Sequence, residues 1–353
     1  MKTGGRKRRK EMDTLRKALE KYCEENRIMC VLRVTRKDKV VLEFSYGYAD
    51  FERKIDYCEN SMFSLYSITK PFCAIGLLRL KDLGLVDIDH HPGEYLPEMK
   101  KAHPKLTIRH MLHHISGLPD FAQTKEFAEK KKYGPRELSR LHLSEILEYP
   151  HLFEPGTDAK YENINFLPLA LIIETVTGAS YEEYMKKEVF APLGAKTIQV
   201  DREGLFIENR VQGYELSEGE LVPVDRTLSW MFGAGDLVGT VDDVYCLNRA
   251  IKQRLLLAPE TWDEVLTPSP LNNMGLGCNV REWHGKRRVT HNGGSRGFRS
   301  LHVQLTEDDF DIIILSNSGF GDARNDISEM IYTAYYGEPE DKKAVFEMDK
   351  GYI

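Results

Sequence analysis

The spacing of apolar positions changes period along the chain. Near the start, Leu15, Leu19 and Tyr22 fall on one face of a helix predicted over 13–25. Residues 28–35 and 39–46 then alternate and are rich in β-branched side chains, with Arg36, Lys37 and Asp38 between them, which predicts a hairpin. Helical spacing follows at 70–83 before Gly84, briefly at 108–114, at the strongly apolar 165–177 before Gly178, at 181–190 and at 242–252. Residues 123–149 are charged and helix-prone and read as a lid. Strand patterns return at 286–289, 298–305 and 309–316, and a helix over 325–336 closes the chain.

Strands at both ends with helices between them predict an α/β (α+β) architecture. One antiparallel sheet is drawn from both chain ends and flanked by helices, with a helical subdomain inserted in the middle. The expected division is a basic arm at 1–11, a single domain at 12–340 and a tail at 341–353. Within the domain, 12–66 and 271–340 would form the sheet part and 67–270 the helical part.

Charge sharpens this picture. The net charge over 353 residues is −6. Six basic side chains from Lys2 to Lys10 against Glu11 put +5 on residues 1–11 and leave −11 on the rest of that −6 total. The arm could meet nucleic acid, but the acidic body would repel phosphate, so the expectation is a solvated arm and no nucleic-acid partner. The six cysteines are scattered and form no CxxC pair, which argues against a metal knuckle and for free thiols. The longest apolar run, 166–173, is far too short to span a membrane. No apolar segment follows the basic start, so the chain is expected to be cytoplasmic.

Three motifs carry chemistry. Ser67-Ile68-Thr69-Lys70 is an SxxK at the start of an apolar helix, where positions i and i+3 bring Ser67 Oγ and Lys70 Nζ together. A helix N-terminus favours an oxyanion there and disfavours protonation of Lys70, as a lysine base requires. Tyr161-Glu162-Asn163 supplies a phenol for proton transfer and an amide for a substrate carbonyl. His291-Asn292-Gly293-Gly294 follows a strand, and its glycines would let substrate lie close, with His291 and Gly293 contacting it. The backbone N–H groups of Ser67 and Gly294 could form an oxyanion hole.

SxxK, YxN and HxG in this order resemble the class C β-lactamase and DD-peptidase superfamily, with its β-lactamase-like esterases. FSLYSITKPF, LTIRHMLHHISGLPDF, FEPGTDAKYEN, GAGDLVGTVDD and HNGGSRGF carry the resemblance further, over about residues 28–335. It implies a β-lactamase/transpeptidase-like fold and a serine acyl hydrolase. Ser67 would form the acyl-enzyme, Lys70 and Tyr161 would manage its proton, Asn163 and His291 would touch substrate, and Ser67 and Gly294 amides would hold the oxyanion. No cofactor or metal is implied. The substrate would be a small ester, amide or peptide, and the oligomeric state is left open.

Histidine in place of the third-motif lysine is only partly charged near neutral pH, which argues against a carboxylate-bearing antibiotic. The reading is therefore an esterase or peptidase. The alternatives are a true β-lactamase, a D-alanyl-D-alanine carboxypeptidase, or a silent binding module on the same fold.

Several other patterns compete. Gly293–Gly297 matches GxSxG, but no acid and histidine follow Ser295 in the required order. Lys2-Thr3-Gly4 and His91-Pro92-Gly93 stand in the wrong order and context for the third motif. His110, His113 and His114 have metal-like spacing but read as packing residues. Cys73 reads as core. Trp230, Met231 and Phe232 fit either core or pocket wall.

Overall fold

The computed structural model describes residues 3–120, 143–202, 204–224, 231–319 and 323–337, with side chains from residue 12 onward. Residues 123–142 of the lid expected over 123–149, Trp230 and the C-terminal tail at 341–353 lie outside the described residues.

The first helix, α1 (Thr3–Glu25), starts ten residues before the expected 13, because Arg and Lys are good helix formers and nothing in 6–12 interrupts the turn. The hairpin follows as β1 (Cys30–Arg36) and β2 (Lys39–Tyr46). Its loop is two residues, Lys37 and Asp38, both at positive φ, the turn whose twist matches the flanking strands. After the two-residue strand β3 (Phe63–Ser64), a 3₁₀ turn (Tyr66–Ile68) leads into α2 (Thr69–Asp82), and α3 (Ile108–Leu112) follows.

The apolar α4 (Phe166–Thr177) packs on α2 and ends at Gly178, whose φ of 70° closes the helix. Next come α5 (Tyr181–Tyr184, running on through Met185–Phe190), β4 (Gln199–Val200), β5 (Tyr214–Ser217), β6 (Glu220–Pro223) and β7 (Leu237–Gly239). The helices α6 (Val241–Gln253) and α7 (Pro259–Val265) precede β8 (Asn279–Trp283), β9 (Lys286–Ser295), β10 (Phe298–Leu305) and β11 (Phe310–Ser316). The last helix is α8 (Ala323–Tyr336).

The two chain ends build one antiparallel six-stranded sheet in the order β2-β1-β11-β10-β9-β8. Its two faces are both covered. Ile312 and Ile314 point to α1 and α8, packing with Leu15, Leu19, Ile327 and Ile331, while Ile313 and Leu315 point to the helical half. That two-residue alternation buries all seven residues of β11.

The strand β8 escaped the sequence reading. Asn279 and Arg281 are buried polar residues, so only Val280 and Trp283 signal an apolar face. This strand also stops short. It pairs with β9 from Lys286 to Thr290, so among the described residues no strand pairs with the other backbone edge of His291–Ser295. Gly293–Gly297, the GxSxG match, is the end of β9 running into the Arg296–Gly297 hairpin turn, so no strand–elbow–helix exists there.

Candidate active site

Ser67 stands in the 3₁₀ turn that opens α2, and the residue before it is under strain. Tyr66 adopts φ of 49°, a left-handed conformation that costs a bulky residue on the order of 1 kcal/mol or more. Three contacts hold it. Leu65 N–H donates to Leu237 O at 2.9 Å, Ser300 Oγ donates to Leu65 O at 2.8 Å, and Gly293 lies against the turn. A Cβ on Gly293 would stand 2.2 Å from Leu65 O and 2.9 Å from Ser67 N. Glycine is thus needed where β9 meets the Ser67 turn itself, whereas the sequence suggested that the close approach would be by substrate. Gly294 follows on the same strand, opposite Arg299 of β10.

Lys70 is fully buried. Its Nζ lies 2.9 Å from Ser67 Oγ, 2.8 Å from Asn163 Oδ1 and 2.7 Å from Ala234 O. Burial pulls the ammonium down to about 7, against the opposing pull of Asp120. Two of its three neighbours can only accept. Neutral Lys70 therefore spends its two N–H bonds on Asn163 Oδ1 and Ala234 O, and its lone pair is left for the Ser67 hydroxyl proton.

Asn163 is fixed from the other side. Its backbone N–H donates to Asp120 Oδ2 at 3.0 Å and its Nδ2 lies 3.4 Å from the same oxygen, which sets the amide with its carbonyl toward Lys70. The sequence suggested this amide for a substrate carbonyl, and the structure engages it between Lys70 and Asp120. Asp120 itself carried no signal beyond its place in the GLPD text.

The Tyr161 ring lies 4.9 Å from Lys70 Nζ and stacks on His114 at 4.2 Å. His114 Nδ1 accepts from the Glu162 N–H at 3.2 Å and from Asn165 Nδ2 at 3.1 Å, so its imidazole is a hydrogen-bonded wedge that positions the YxN segment. Burial, then the Lys70 charge, hold it well below the usual histidine range.

His291 closes the far side. Its Nδ1 donates to Asn292 O at 2.7 Å, which leaves the lone pair on Nε2. Burial first, and Lys70 second, lower it to about 3. The expectation of a partly charged imidazole is therefore corrected: His291 is neutral across the physiological range and supplies no positive charge.

The family described as Beta-lactamase matches residues 15–334. The chain belongs to that family, and with it to the serine hydrolases. A penicillin-binding protein of Bacillus subtilis is 27% identical over 331 residues, covering 88% of this chain and 72% of its own length. A D-aminopeptidase of Gluconobacter oxydans is 27% identical over 298 residues, 80% of this chain but only 54% of the relative, so the chain spans about half the length of that protein. Among solved structures, the octameric penicillin-binding protein homologue from Pyrococcus abyssi superimposes with a TM-score of 0.82 at 21% identity, over 94% of this chain and 78% of that one. The D-amino acid amidase from Ochrobactrum anthropi gives 0.79 at 24%, over 92% and 99%. These likenesses establish the β-lactamase/transpeptidase-like fold.

A cleft opens beside Tyr161 and His291 and is lined further by Asn292, Asn279, Arg281 and Arg288. The two arginines face each other across β8 and β9, and Arg288 also lies 4.9 Å from the Trp283 ring. Sequence reasoning missed both, because β8 was not seen and the pairing register is what joins them.

The competing patterns resolve into structure. His91 caps the turn at Pro92–Glu94 by accepting from Gly93 N–H at 3.1 Å. His113 bonds Met274 O at 2.8 Å, and His110 closes the cap of α3 with Thr107. Among the described residues no group of three His, Cys, Asp or Glu could hold a metal ion. Burial pushes the Cys73 thiol up to about 12, which leaves it unreactive. Met231 and Phe232 are core residues, with Phe232 edge-on to Tyr181 at 5.2 Å. Among the described residues no single helix is long and apolar enough to cross a membrane.

Proposed function

We propose that the chain hydrolyses an amide or short peptide bond through an acyl-enzyme on Ser67. The observation that carries this reading is the buried Lys70 Nζ, 2.9 Å from Ser67 Oγ, with Asn163 Oδ1 and Ala234 O, both acceptors, taking its other two contacts. Ser67 Oγ attacks the acyl carbon while its proton passes to Lys70 Nζ. The carbonyl oxygen gains the negative charge and is held by the N–H groups of Ser67, in the turn that opens α2, and of Gly294, on β9. Collapse breaks the C–N bond, and the departing nitrogen takes its proton from Lys70 by way of the Tyr161 hydroxyl. Water then attacks the ester, gives its proton back along the same route, and frees Ser67.

The unclaimed edge at His291–Ser295 suits an extended peptide laid alongside β9. The relatives named D-aminopeptidase and D-amino acid amidase act on bonds of this class, which favours an amide over an ester.

A fluorophosphonate probe with intact-mass readout tests the nucleophile. One adduct on the wild type and none on Ser67→Ala is expected, and full labelling of Ser67→Ala overturns the assignment. A panel of D-alanyl peptides, D-amino acid anilides, p-nitrophenyl esters and a chromogenic cephalosporin tests the class. The wild type should turn over the D-alanyl peptides or the D-amino acid anilides and Ser67→Ala should not, and ester hydrolysis with no amide hydrolysis removes the amide from the proposal.

A further inference from the structure

The last helix reaches the active-site strand through one side chain. Arg324 stands in the first turn of α8, which packs over the sheet through Ile327 and Ile331. It is buried, and its Nη1 donates to Gly293 O at 2.8 Å. The same nitrogen lies close to the next residue: a Cβ on Gly294 would stand 3.1 Å from Nη1 and 2.9 Å from Arg299 Cδ. Glycine at 294 therefore leaves the guanidinium room to reach the carbonyl before it. Arg299 shares this face but sends its own Nη1 to Phe298 O at 2.7 Å, at the hairpin end of β10.

Gly293 O and Gly294 N–H belong to one peptide group. Among the described residues no peptide bond is cis, so this planar unit points its carbonyl and its N–H in opposite directions. Holding the one aims the other. Glycine on both sides leaves this plane freer to turn than any other in β9, and among the described residues no strand pairs with the second edge of His291–Ser295. A bond from a charged donor is about twice as strong as a neutral one. It also draws electron density toward the carbonyl oxygen, which makes the N–H of the same peptide a better donor.

We propose that Arg324 is a positioning residue that acts through the Gly293–Gly294 peptide, aiming and polarising the Gly294 N–H toward the oxygen that gains negative charge on acylation. The proposal deepens the acyl-enzyme reading and rests on it for the role of that N–H. Two parts of the fold then fix the peptide. Leu65 O and Ser67 N bear on Gly293 from the turn that opens α2, and Arg324 bears on its carbonyl from α8. The guanidinium touches no reacting atom in this arrangement. Its loss should therefore weaken the hold on the transition state and leave substrate binding in place.

Adjacent glycines occur only at 4–5 and 293–294. Protein labelled with ¹³C′ and ¹⁵N in glycine alone therefore reports the Gly293–Gly294 peptide directly in an NMR experiment that links each amide to the preceding carbonyl, and Gly4→Ala identifies the other signal. Arg324→Met should move the Gly293 carbonyl carbon upfield by about 1 ppm or more, as loss of a charged donor requires. A carbonyl that stays in place overturns the proposal. The second arm compares an activated ester with its thionoester, because sulfur is a weak acceptor. Arg324→Met should lower kcat about tenfold or more with KM within about threefold, and should lower the oxygen-to-sulfur rate ratio about threefold or more. Arg324→Lys keeps a cationic donor and should bring kcat back to within about threefold of wild type. A raised KM with kcat kept would put Arg324 on the substrate and overturns the proposal, as does an unchanged oxygen-to-sulfur ratio. Should Arg324→Met fail to fold, Arg324→Gln drops the charge at similar length, and wild-type values of both readouts in that variant overturn the proposal. The NMR arm needs no turnover. A moved carbonyl in a protein whose Ser67 takes no probe would mark failure of the acyl-enzyme reading, with the hold of Arg324 on the peptide upheld.

Discussion

Gly293 and Ser67 touch backbone to backbone: a Cβ on Gly293 would stand 2.9 Å from Ser67 N. The strand end that carries the third motif and the turn that carries the first are thereby held in one register. This contact fixes where the Ser67 N–H points relative to the N–H of Gly294, the proposed oxyanion pair.

Gly293→Ala should therefore damage catalysis more than stability. The new methyl also meets Leu65 O and Ser300 Oγ, so β9 must retreat from the turn by a few tenths of an ångström. We expect kcat/KM to fall at least a hundredfold, in line with loss of an oxyanion donor, for an overpacking cost of about 1–3 kcal/mol. Steady-state kinetics beside thermal unfolding checks this. A stable variant with wild-type kcat/KM would separate Gly293 from the oxyanion geometry.

Lys70 predicts the pH dependence. As the base it must be neutral, and it titrates at about 7. Acylation should therefore fall tenfold for each pH unit well below 7 and level off above it. Lys70→Met should lose at least a thousandfold in acylation rate at every pH. A rapid-mixing measurement of probe adduct formation from pH 5 to 9 reads both. An acid limb centred near 4 would point to a carboxylate as the base instead.

Much of this site was legible because its chemistry is local in sequence. SxxK needs only one helical turn to bring Ser67 and Lys70 together, and the apolar run after it announces the helix. The order of YxN and HxG added the partners. What was not legible depends on tertiary placement. Asp120 looks like an ordinary polar residue until folding buries it against Asn163. Arg281 and Arg288 become a pair only through the β8–β9 register, and β8 itself was hidden because Asn279 and Arg281 break its apolar alternation. The charge state of His291 likewise follows from burial, which no residue count shows.

Tyr161 should separate turnover from folding. Its ring is held by the stack on His114, and Phe at this position keeps that contact while removing the hydroxyl. Tyr161→Phe is expected to lower kcat a hundredfold or more, the usual range for losing a general acid–base group, with the melting temperature within a few degrees of wild type. Burst kinetics with an activated ester should show which step suffers, since a good leaving group needs no proton from the phenol. Unchanged amide hydrolysis would remove Tyr161 from the proton route.

Buried neutral histidines make the fold sensitive to acid. His302 is fully buried in β10, with Nδ1 2.8 Å from Asn248 Oδ1, and burial lowers it to about 3. Between that value and the ordinary value of about 6.5, the unfolded chain binds a proton that the folded chain does not. Stability therefore falls as the pH drops from 6.5 toward 3, by up to about 1.4 kcal/mol per pH unit for each such histidine. His291 acts in the same direction, so the slopes add. Urea unfolding at pH 7.0, 6.0 and 5.0 should show the midpoint falling at each step. His302→Gln can keep an amide near Asn248 and does not titrate, so its midpoint should fall less steeply than that of the wild type. Parallel slopes for the two proteins would mean that His302 takes up its proton without unfolding.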